Sequence, residues 1–170
     1  TLVAANTFNN SISVIRLSDV KLAAEIPVGN DPRSVALTAD GGRAVTANRA
    51  DGTLSVADLT TQQVTTIPLN GVYPYGVVLG DDDIAYVSLE GSNAVAVVDL
   101  ATARVVTTIP VPAAPAGLAK LGDFLYVTHF WSGQISLIYL PDARVVQTSN
   151  TGLDTSISQG IELDLTRGLA

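Results

Sequence analysis

The stretch SISVIRL, residues Ser11–Leu17, decides the fold because it returns three more times along the chain. Its copies are TLSVADL from Thr53, AVAVVDL from Ala94 and QISLIYL from Gln134, at spacings of 42, 41 and 40 residues. A period of this length indicates a repeat protein, in which each repeat is one supersecondary unit that stacks on the next. We divide the 170-residue chain into four repeats of a single domain, approximately residues 2–43, 44–83, 84–123 and 124–170.

Each copy of this stretch alternates large apolar residues with small or polar ones. A period of two predicts a β-strand with a large face and a small face. Sheets with two such faces can stack, because the small face leaves room for the bulk of its neighbour. We therefore expect eight large residues to be buried between stacked sheets: Ile12, Val14, Leu54, Val56, Val95, Val97, Ile135 and Leu137.

Three further segments recur in every repeat and complete a four-stranded antiparallel sheet. One ends at Asn6, Asn48, Leu89 and His129; one ends in Ile-Pro at Pro27, Pro68 and Pro110; one starts at Pro32, Pro74, Pro115 and, more loosely, Ser158. The Ile-Pro strand should lie at an outer edge, because proline cannot donate a hydrogen bond to a neighbouring strand. Since no segment has a sustained helical period, the sequence predicts an all-β fold.

The segments AVTAN, AYVS and LYVTH, with the TIPV and P-x-G-V-x-L segments, resemble the YVTN family of β-propeller repeats over essentially the whole chain. The resemblance implies four-stranded antiparallel blades with P-x-G-V-x-L as the innermost strand and V-x-T-I-P-V as the outermost. The fourth repeat departs from the pattern, with Tyr139 where Asp58 and Asp99 stand and no proline at Ser158. The resemblance names no function, since such repeats serve many roles.

The two ends of the chain are complementary in strand type. The first repeat lacks an innermost strand, and the last segment, around Gly160–Leu165, resembles one. Either this segment closes a four-bladed ring, or the chain is an arc of a larger ring. We favour the arc, because the start at Thr1 suggests processing or truncation. An arc would leave open blade edges through which the chain can associate with itself.

Composition excludes several classes of partner. With a net charge of −7 and only nine Lys and Arg residues, the chain lacks the basic surface that nucleic acids require. No apolar run approaches the length of a membrane-spanning helix, so we expect no membrane insertion. Without cysteine there is no disulfide and no thiolate metal site.

Motifs for catalysis or cofactor binding do not stand out. His129 is the only histidine, which excludes metal sites built from several histidines. The run Asp81–Asp83 is interpreted as a solvated turn, because three consecutive carboxylates on a short turn cannot all converge on one ion. We therefore predict no catalytic residue, no metal and no cofactor.

Binding is sought in the loops, where repeat copies differ over a shared scaffold. The loops Thr7–Asn10, Arg49–Gly52, Glu90–Asn93 and Phe130–Gly133 should share a face near the channel mouth with the loops that precede each innermost strand, including residues 154–159. Phe130 and Trp131 are conspicuous in a chain with 5% aromatic residues. Trp131 is exposed if this face binds a partner, and buried against a neighbouring blade if it does not. The candidate binding residues are Arg33, Tyr73, Tyr75, His129, Phe130 and Trp131.

The function predicted from these features is a noncatalytic binding or structural module that contacts a protein or a glycan through this face. The resemblance places it in a bacterial secreted, periplasmic or cell-surface protein. The alternative is a fragment of a propeller enzyme, either a lactonase-like hydrolase or a quinone- or haem-linked oxidoreductase. A metal or cofactor at the channel mouth would favour the alternative.

Overall fold

The computed structural model describes residues 1–151 and 161. These residues form fifteen β-strands and one short 3₁₀ turn, Glu90–Ser92, and contain no α-helix. The predicted all-β fold is confirmed. No helix in the described part of the chain has the length and hydropathy to span a membrane.

The strands form four antiparallel sheets in chain order. Sheet 1 contains β1 (Leu2–Asn6), β2 (Ser11–Arg16) and β3 (Lys21–Pro27); sheet 2 contains β4 (Pro32–Leu37), β5 (Arg43–Asn48), β6 (Thr53–Asp58) and β7 (Val64–Pro68). Sheet 3 contains β8 (Pro74–Leu79), β9 (Ile84–Leu89), β10 (Ala94–Asp99) and β11 (Arg104–Pro110); sheet 4 contains β12 (Pro115–Leu121), β13 (Phe124–His129), β14 (Gln134–Tyr139) and β15 (Arg144–Asn150). Each strand pairs with its neighbour in sequence, so every connection is a hairpin within the sheet or a step to the next sheet.

The Ile-Pro strands lie at a sheet edge, as their prolines predict. The strands β3, β7 and β11, which end at Pro27, Pro68 and Pro110, each lie at the edge of their sheet. At the opposite edge of the four-stranded sheets lie β4, β8 and β12, each of which begins with proline. Proline at these positions leaves the hydrogen bonds of the central strands intact.

The sheets follow one another in an open series. Strand β1 packs beside β4, β4 beside β8, and β8 beside β12, whereas no comparable contact joins the described strands of sheets 4 and 1. Sheet 1 has three described strands, and the segment that supplies a fourth in the closed-ring alternative, around Gly160–Leu165, lies outside the described residues apart from Ile161. The described part of the chain is therefore an arc of stacked sheets.

Apolar clusters fill each junction between sheets. Ile12 and Val14 of sheet 1 pack on Ala44 and Ala57 of sheet 2. The same arrangement joins sheet 2 to sheet 3 through Val45, Leu54, Val56, Ala85 and Val98, and sheet 3 to sheet 4 through Tyr86, Val95, Leu125 and Ile138. Large residues of one sheet thus meet the next sheet, which is the stacking that the alternation predicts.

The prediction that eight large residues are buried holds for five of them. Ile12, Val14, Leu54, Val56 and Val95 are buried. Val97 is half-buried and packs against the cluster between sheets 3 and 4. Ile135 and Leu137 are half-buried because they lie on the outward face of sheet 4, beyond which no further sheet is packed in the described residues.

The glycine of the P-x-G-V-x-L segment is required by the approach of neighbouring innermost strands. The amide of Gly76 donates to Ser88 Oγ at 2.8 Å, and that hydroxyl donates to the carbonyl oxygen of Ala116 in the next sheet at 2.6 Å. A Cβ at Gly76 would clash with the same carbonyl oxygen. An irregularity in strand register between Pro74 and Val77 accompanies this glycine, as it does at the equivalent positions in β4 and β12.

We predict that Gly76→Ala lowers the free energy of unfolding by about 1–3 kcal/mol, because the new methyl group overpacks a junction between two backbones. Chemical denaturation followed by circular dichroism measures this loss. Gly42→Ala is the matched control, since a Cβ at Gly42 would meet only the flexible side chain of Asp40. Equal stability of the two variants would contradict the assigned packing of β8 on β12.

Candidate functional site

Two sets of loops meet on one side of the arc, as the repeat pattern predicts. The first set joins the strand that ends at Asn6, Asn48, Leu89 or His129 to the next strand of the same sheet; it comprises residues 7–10, 49–52, 90–93 and 130–133. The second set leads from one sheet into the next and comprises residues 28–31, 69–73 and 111–114. Backbone hydrogen bonds join the two sets: Arg49 N donates to Asp31 O at 2.9 Å, Glu90 N to Tyr73 O at 3.0 Å, and Phe130 N to Ala114 O at 2.8 Å. We call this side the loop face.

Tyr73 is held in an unusual backbone conformation on the loop face. The three residues that accept these hydrogen bonds, Asp31, Tyr73 and Ala114, all have positive φ angles of 58°, 56° and 53°. This left-handed region is uncommon for an aromatic residue, and such strain persists only where the surroundings enforce it. The conformation leaves the Tyr73 side chain 46% exposed.

Arg49 organises the middle of the loop face. Its guanidinium carbon lies 4.4 Å from the centre of the Tyr73 ring, and its Nε and Nη2 atoms both donate to Glu90 Oε2 at 3.2 Å. Arg49 and Glu90 are the first residues of equivalent loops in sheets 2 and 3. The ion pair therefore links two neighbouring sheets at their loop ends, with the tyrosine ring stacked on it.

Arg33 is exposed and lines a cavity beside the innermost strands. The guanidinium pairs with Asp31 through two contacts, Nε to Oδ1 at 2.9 Å and Nη2 to Oδ2 at 3.1 Å. Tyr75, Gly117 and Leu118 line the same cavity of about 380 Å³, into which Ile161 also reaches. The cavity opens between β4, β8 and β12, where a channel is expected.

An aromatic series connects this cavity with the edge of the loop face. Tyr75 packs edge to face on Phe130 with ring centres 6.0 Å apart, and Phe130 packs edge to face on Trp131 at 4.6 Å. Tyr75 belongs to sheet 3, whereas the other two residues belong to sheet 4. Such edge-to-face pairs fix ring orientations. The structure thus brings Arg33, Tyr75, Phe130 and Trp131 into one continuous region.

Trp131 is the exposed end of this series. Phe130 and Tyr75 are half-buried, whereas 62% of the Trp131 surface is exposed. Trp131 is therefore not buried against a neighbouring blade, as the alternative required. A large aromatic side chain held in place by its neighbours while its face stays in solvent is a typical binding anchor.

His129 lies beneath the loop face and is fully buried. Its Nδ1 is 3.1 Å from the carbonyl oxygen of Ala113, which can only accept, so Nδ1 carries the proton. Its Nε2 then accepts from Ser136 Oγ at 2.8 Å. At the equivalent place in sheet 2, Asn48 Nδ2 donates to Ser55 Oγ at 2.8 Å. His129 holds strands together and, because it is fully buried, presents no ring atom to a ligand.

Burial lowers the pKa of His129 and outweighs the opposing effect of its hydrogen bond to the backbone of Ala113. A group with a lowered pKa in the folded chain stabilises the fold above its unfolded pKa, about 6.5, and this stabilisation is lost as the pH falls below that value. We predict that the free energy of unfolding declines as the pH falls below about 6.5. His129→Asn should flatten this decline, because asparagine does not titrate and serves at the equivalent positions. Urea denaturation at several pH values tests this, and an unchanged slope in the variant would contradict it.

Sequence reasoning missed two features of the loop face. Phe8 in the first loop is 98% exposed, and its neighbourhood includes Asn6, Thr7 and Glu25 around a cavity of about 370 Å³. The Arg49–Glu90 pair was also missed. Aligning the repeats would have indicated it, because these opposite charges stand at the same repeat position in adjacent sheets.

The opposite side of the arc is acidic. Asp40, Asp81, Asp82 and Asp83 line a cavity of about 490 Å³, in which Arg43 pairs with Asp83. Within the described residues, no group of three or more His, Asp or Glu side chains is arranged to hold a metal ion. Carboxylates line this cavity, whereas the aromatic series from Tyr75 to Trp131 lies on the loop face.

Structural comparison identifies the architecture. Hydrazine synthase from Kuenenia stuttgartiensis superposes with a TM-score of 0.77 at 25% identity, covering 86% of this chain and 44% of that chain. The sheets are β-propeller blades. The computationally designed Ika8 protein superposes with a TM-score of 0.79 at 13% identity, covering 95% of this chain and 49% of that chain. The dihydro-heme d1 dehydrogenase NirN in complex with DHE superposes with a TM-score of 0.70 at 14% identity, covering 88% of this chain and 35% of that chain.

The chain spans less than half the length of each of these three structures. No protein-family model matches it, and no curated protein matches its sequence. The comparisons therefore establish a propeller module, with enzymes among the proteins of similar structure.

Proposed function

We propose that this chain is a noncatalytic binding module that contacts a protein or a glycan through its loop face. The observation that carries the proposal is the exposed Trp131, held by Phe130 and through it by Tyr75. Because its neighbours already fix this side chain, Trp131 itself loses little conformational entropy when a partner contacts it. Tryptophan, tyrosine and arginine are the residue types that most often dominate binding energy, and Arg33, Tyr73 and Trp131 are all exposed here.

The charges of the loop face favour a partner without strong net charge. Arg33 is paired with Asp31 and Arg49 with Glu90, so neither cation is free to attract an anion at long range. Paired groups of this kind can still exchange hydrogen bonds with the hydroxyl groups of a sugar or the backbone of a peptide. An aromatic surface bordered by paired polar groups suits both classes of partner.

We also propose that the blades are of the YVTN type and that the protein acts outside the cytoplasm, at the cell surface or in the periplasm of a bacterium. The support is the resemblance of segments such as LYVTH and P-x-G-V-x-L to that family. Fractionation of the native host with an antibody against this chain would test the location. Recovery only with cytoplasmic markers would contradict it.

The binding proposal is tested by presenting the protein to two separate collections. One is an array of neutral and acidic oligosaccharides, and the other is a displayed peptide library. Wild-type protein and Trp131→Ala are compared on both, and we expect a ligand from one collection that the variant binds far more weakly. Ligands bound equally by both proteins would show that the aromatic series is not the site.

The alternative, a part of a propeller enzyme, is favoured by one observation. The similarity to hydrazine synthase reaches 25% identity over 86% of this chain. A haem- or quinone-linked oxidoreductase would bind its cofactor at the channel mouth, near Arg33 and Tyr75. Titration with haem or a soluble quinone, followed by absorbance and by the fluorescence of Trp131, separates the two functions: saturable binding there would support the enzyme.

A further inference from the structure

The same apolar contact recurs at every junction between blades. It therefore indicates what kind of surface fits the two end sheets of the arc. Each junction brings two large residues of the strand that contains the SISV-like segment, such as Leu54 and Val56 of β6, against a cross-strand pair of the following sheet. These pairs are Ala44 with Ala57, Ala85 with Val98, and Leu125 with Ile138. All six of these side chains are fully buried.

Within residues 1–151 and 161, the two end sheets each carry one half of this contact without its counterpart. On sheet 4, Ile135 and Leu137 occupy the positions of Leu54 and Val56, yet both are only half-buried. On sheet 1, Leu2 and Ile15 form the cross-strand pair equivalent to Ala44 with Ala57. Leu2 is 44% exposed and Ile15 is half-buried. We call these surfaces the sheet 4 end face and the sheet 1 end face.

We propose that a second copy of this chain covers the end faces, with the sheet 4 end face of each copy on the sheet 1 end face of the other. The two faces complement each other chemically, since Ile135 and Leu137 meeting Leu2 and Ile15 reproduces the Val95 contact with Leu125 and Ile138. Two head-to-tail contacts related by a two-fold axis close a ring and leave no apolar end face in solvent.

The curvature and length of the arc support a second copy as the occupant. The arc superposes on propellers with TM-scores of 0.77 and 0.79 while covering 44% and 49% of their chains. Its blades are therefore rotated relative to one another as in propellers about twice as long. Two copies supply about as much chain as one of those propellers, whereas a closed ring of four blades would need a tighter turn at each junction.

Sedimentation equilibrium of the full 170-residue chain tests the proposal, with an expected mass of twice the chain. The double variant Ile135→Asp with Leu137→Asp should be a monomer with an unchanged circular dichroism spectrum, because these residues are half-exposed and tolerate the change. Val106→Asp is the control, since Val106 is 63% exposed on the outer strand β11. A monomeric wild-type chain, or a dimeric double variant, would overturn the proposal.

A second pair of substitutions tests the head-to-tail arrangement. Leu2→Asp with Ile15→Asp should also give a monomer, and should do so without altering the sheet 4 end face. Mixing the two double variants should restore a dimer, because one sheet 4 end face and one sheet 1 end face stay intact in the mixed pair. Two sheet 4 end faces in contact would instead leave the Leu2 and Ile15 variant dimeric by itself, which would contradict the proposal. Both double variants keep the loop face intact, so their results do not depend on its binding function.

Discussion

Leu54→Asp is expected to abolish the soluble folded protein. Leu54 is fully buried in the junction between sheets 2 and 3, where its neighbours include Val87 and Ala96. A carboxylate there would have no partner in an apolar surrounding, at a cost of several kcal/mol. A domain of this size has a total stability of about 5–15 kcal/mol, so one such change removes much or all of it. The soluble fraction after expression and the far-ultraviolet circular dichroism of any soluble protein measure the effect.

Val106→Asp is the matched control for this prediction, because it introduces the same carboxylate on an exposed strand position. Exposed substitutions of this kind usually change stability by no more than about 0.5 kcal/mol. We expect wild-type yield and a wild-type unfolding curve. If the two variants behaved alike, the assignment of buried and exposed faces would be wrong.

Trp131→Ala is expected to weaken binding of a ligand selected on the wild-type protein by about 30-fold or more, which corresponds to about 2 kcal/mol. The reason is the loss of the exposed end of the aromatic series, with no large effect on the fold. Isothermal titration of both proteins with the same ligand gives the ratio. Phe124→Ala is the control, since Phe124 packs on Tyr139 at the other end of sheet 4. A similar loss in both variants would assign the effect to sheet 4 as a whole rather than to the loop face.

The strands were predictable because their signal is local and repeated. The segments beginning at Thr53, Ala94 and Gln134 coincide with β6, β10 and β14, and the prolines correctly marked the outer edges. The half-buried Ile135 and Leu137 show the limit of such patterns, since alternation predicts which face is apolar and not whether another sheet covers it. Burial of a residue depends on whether another sheet packs on its face, and the sequence of the strand alone does not determine that.

The candidate site was predictable only in part, for a related reason. Alternation required that Phe130 or Trp131 face away from the core, but only the fold showed that Phe130 turns towards Tyr75 and leaves Trp131 in solvent. The same holds for Tyr73, which has a positive φ angle and accepts a hydrogen bond from Glu90 of a different loop. Contacts between loops of different sheets depend on how the blades stack, and a single repeat does not encode that.

Hydrogen–deuterium exchange with and without the selected ligand tests the central claim, that the loop face is where this molecule binds. We expect slower exchange confined to residues 28–33, 49–52, 69–76, 90–93 and 129–133, because bound ligand shields these loops and the start of the adjoining strands. Residues 38–43 and 80–84 on the acidic side should exchange at unchanged rates. Protection of the acidic side, with the loops around Trp131 unaffected, would contradict the claim.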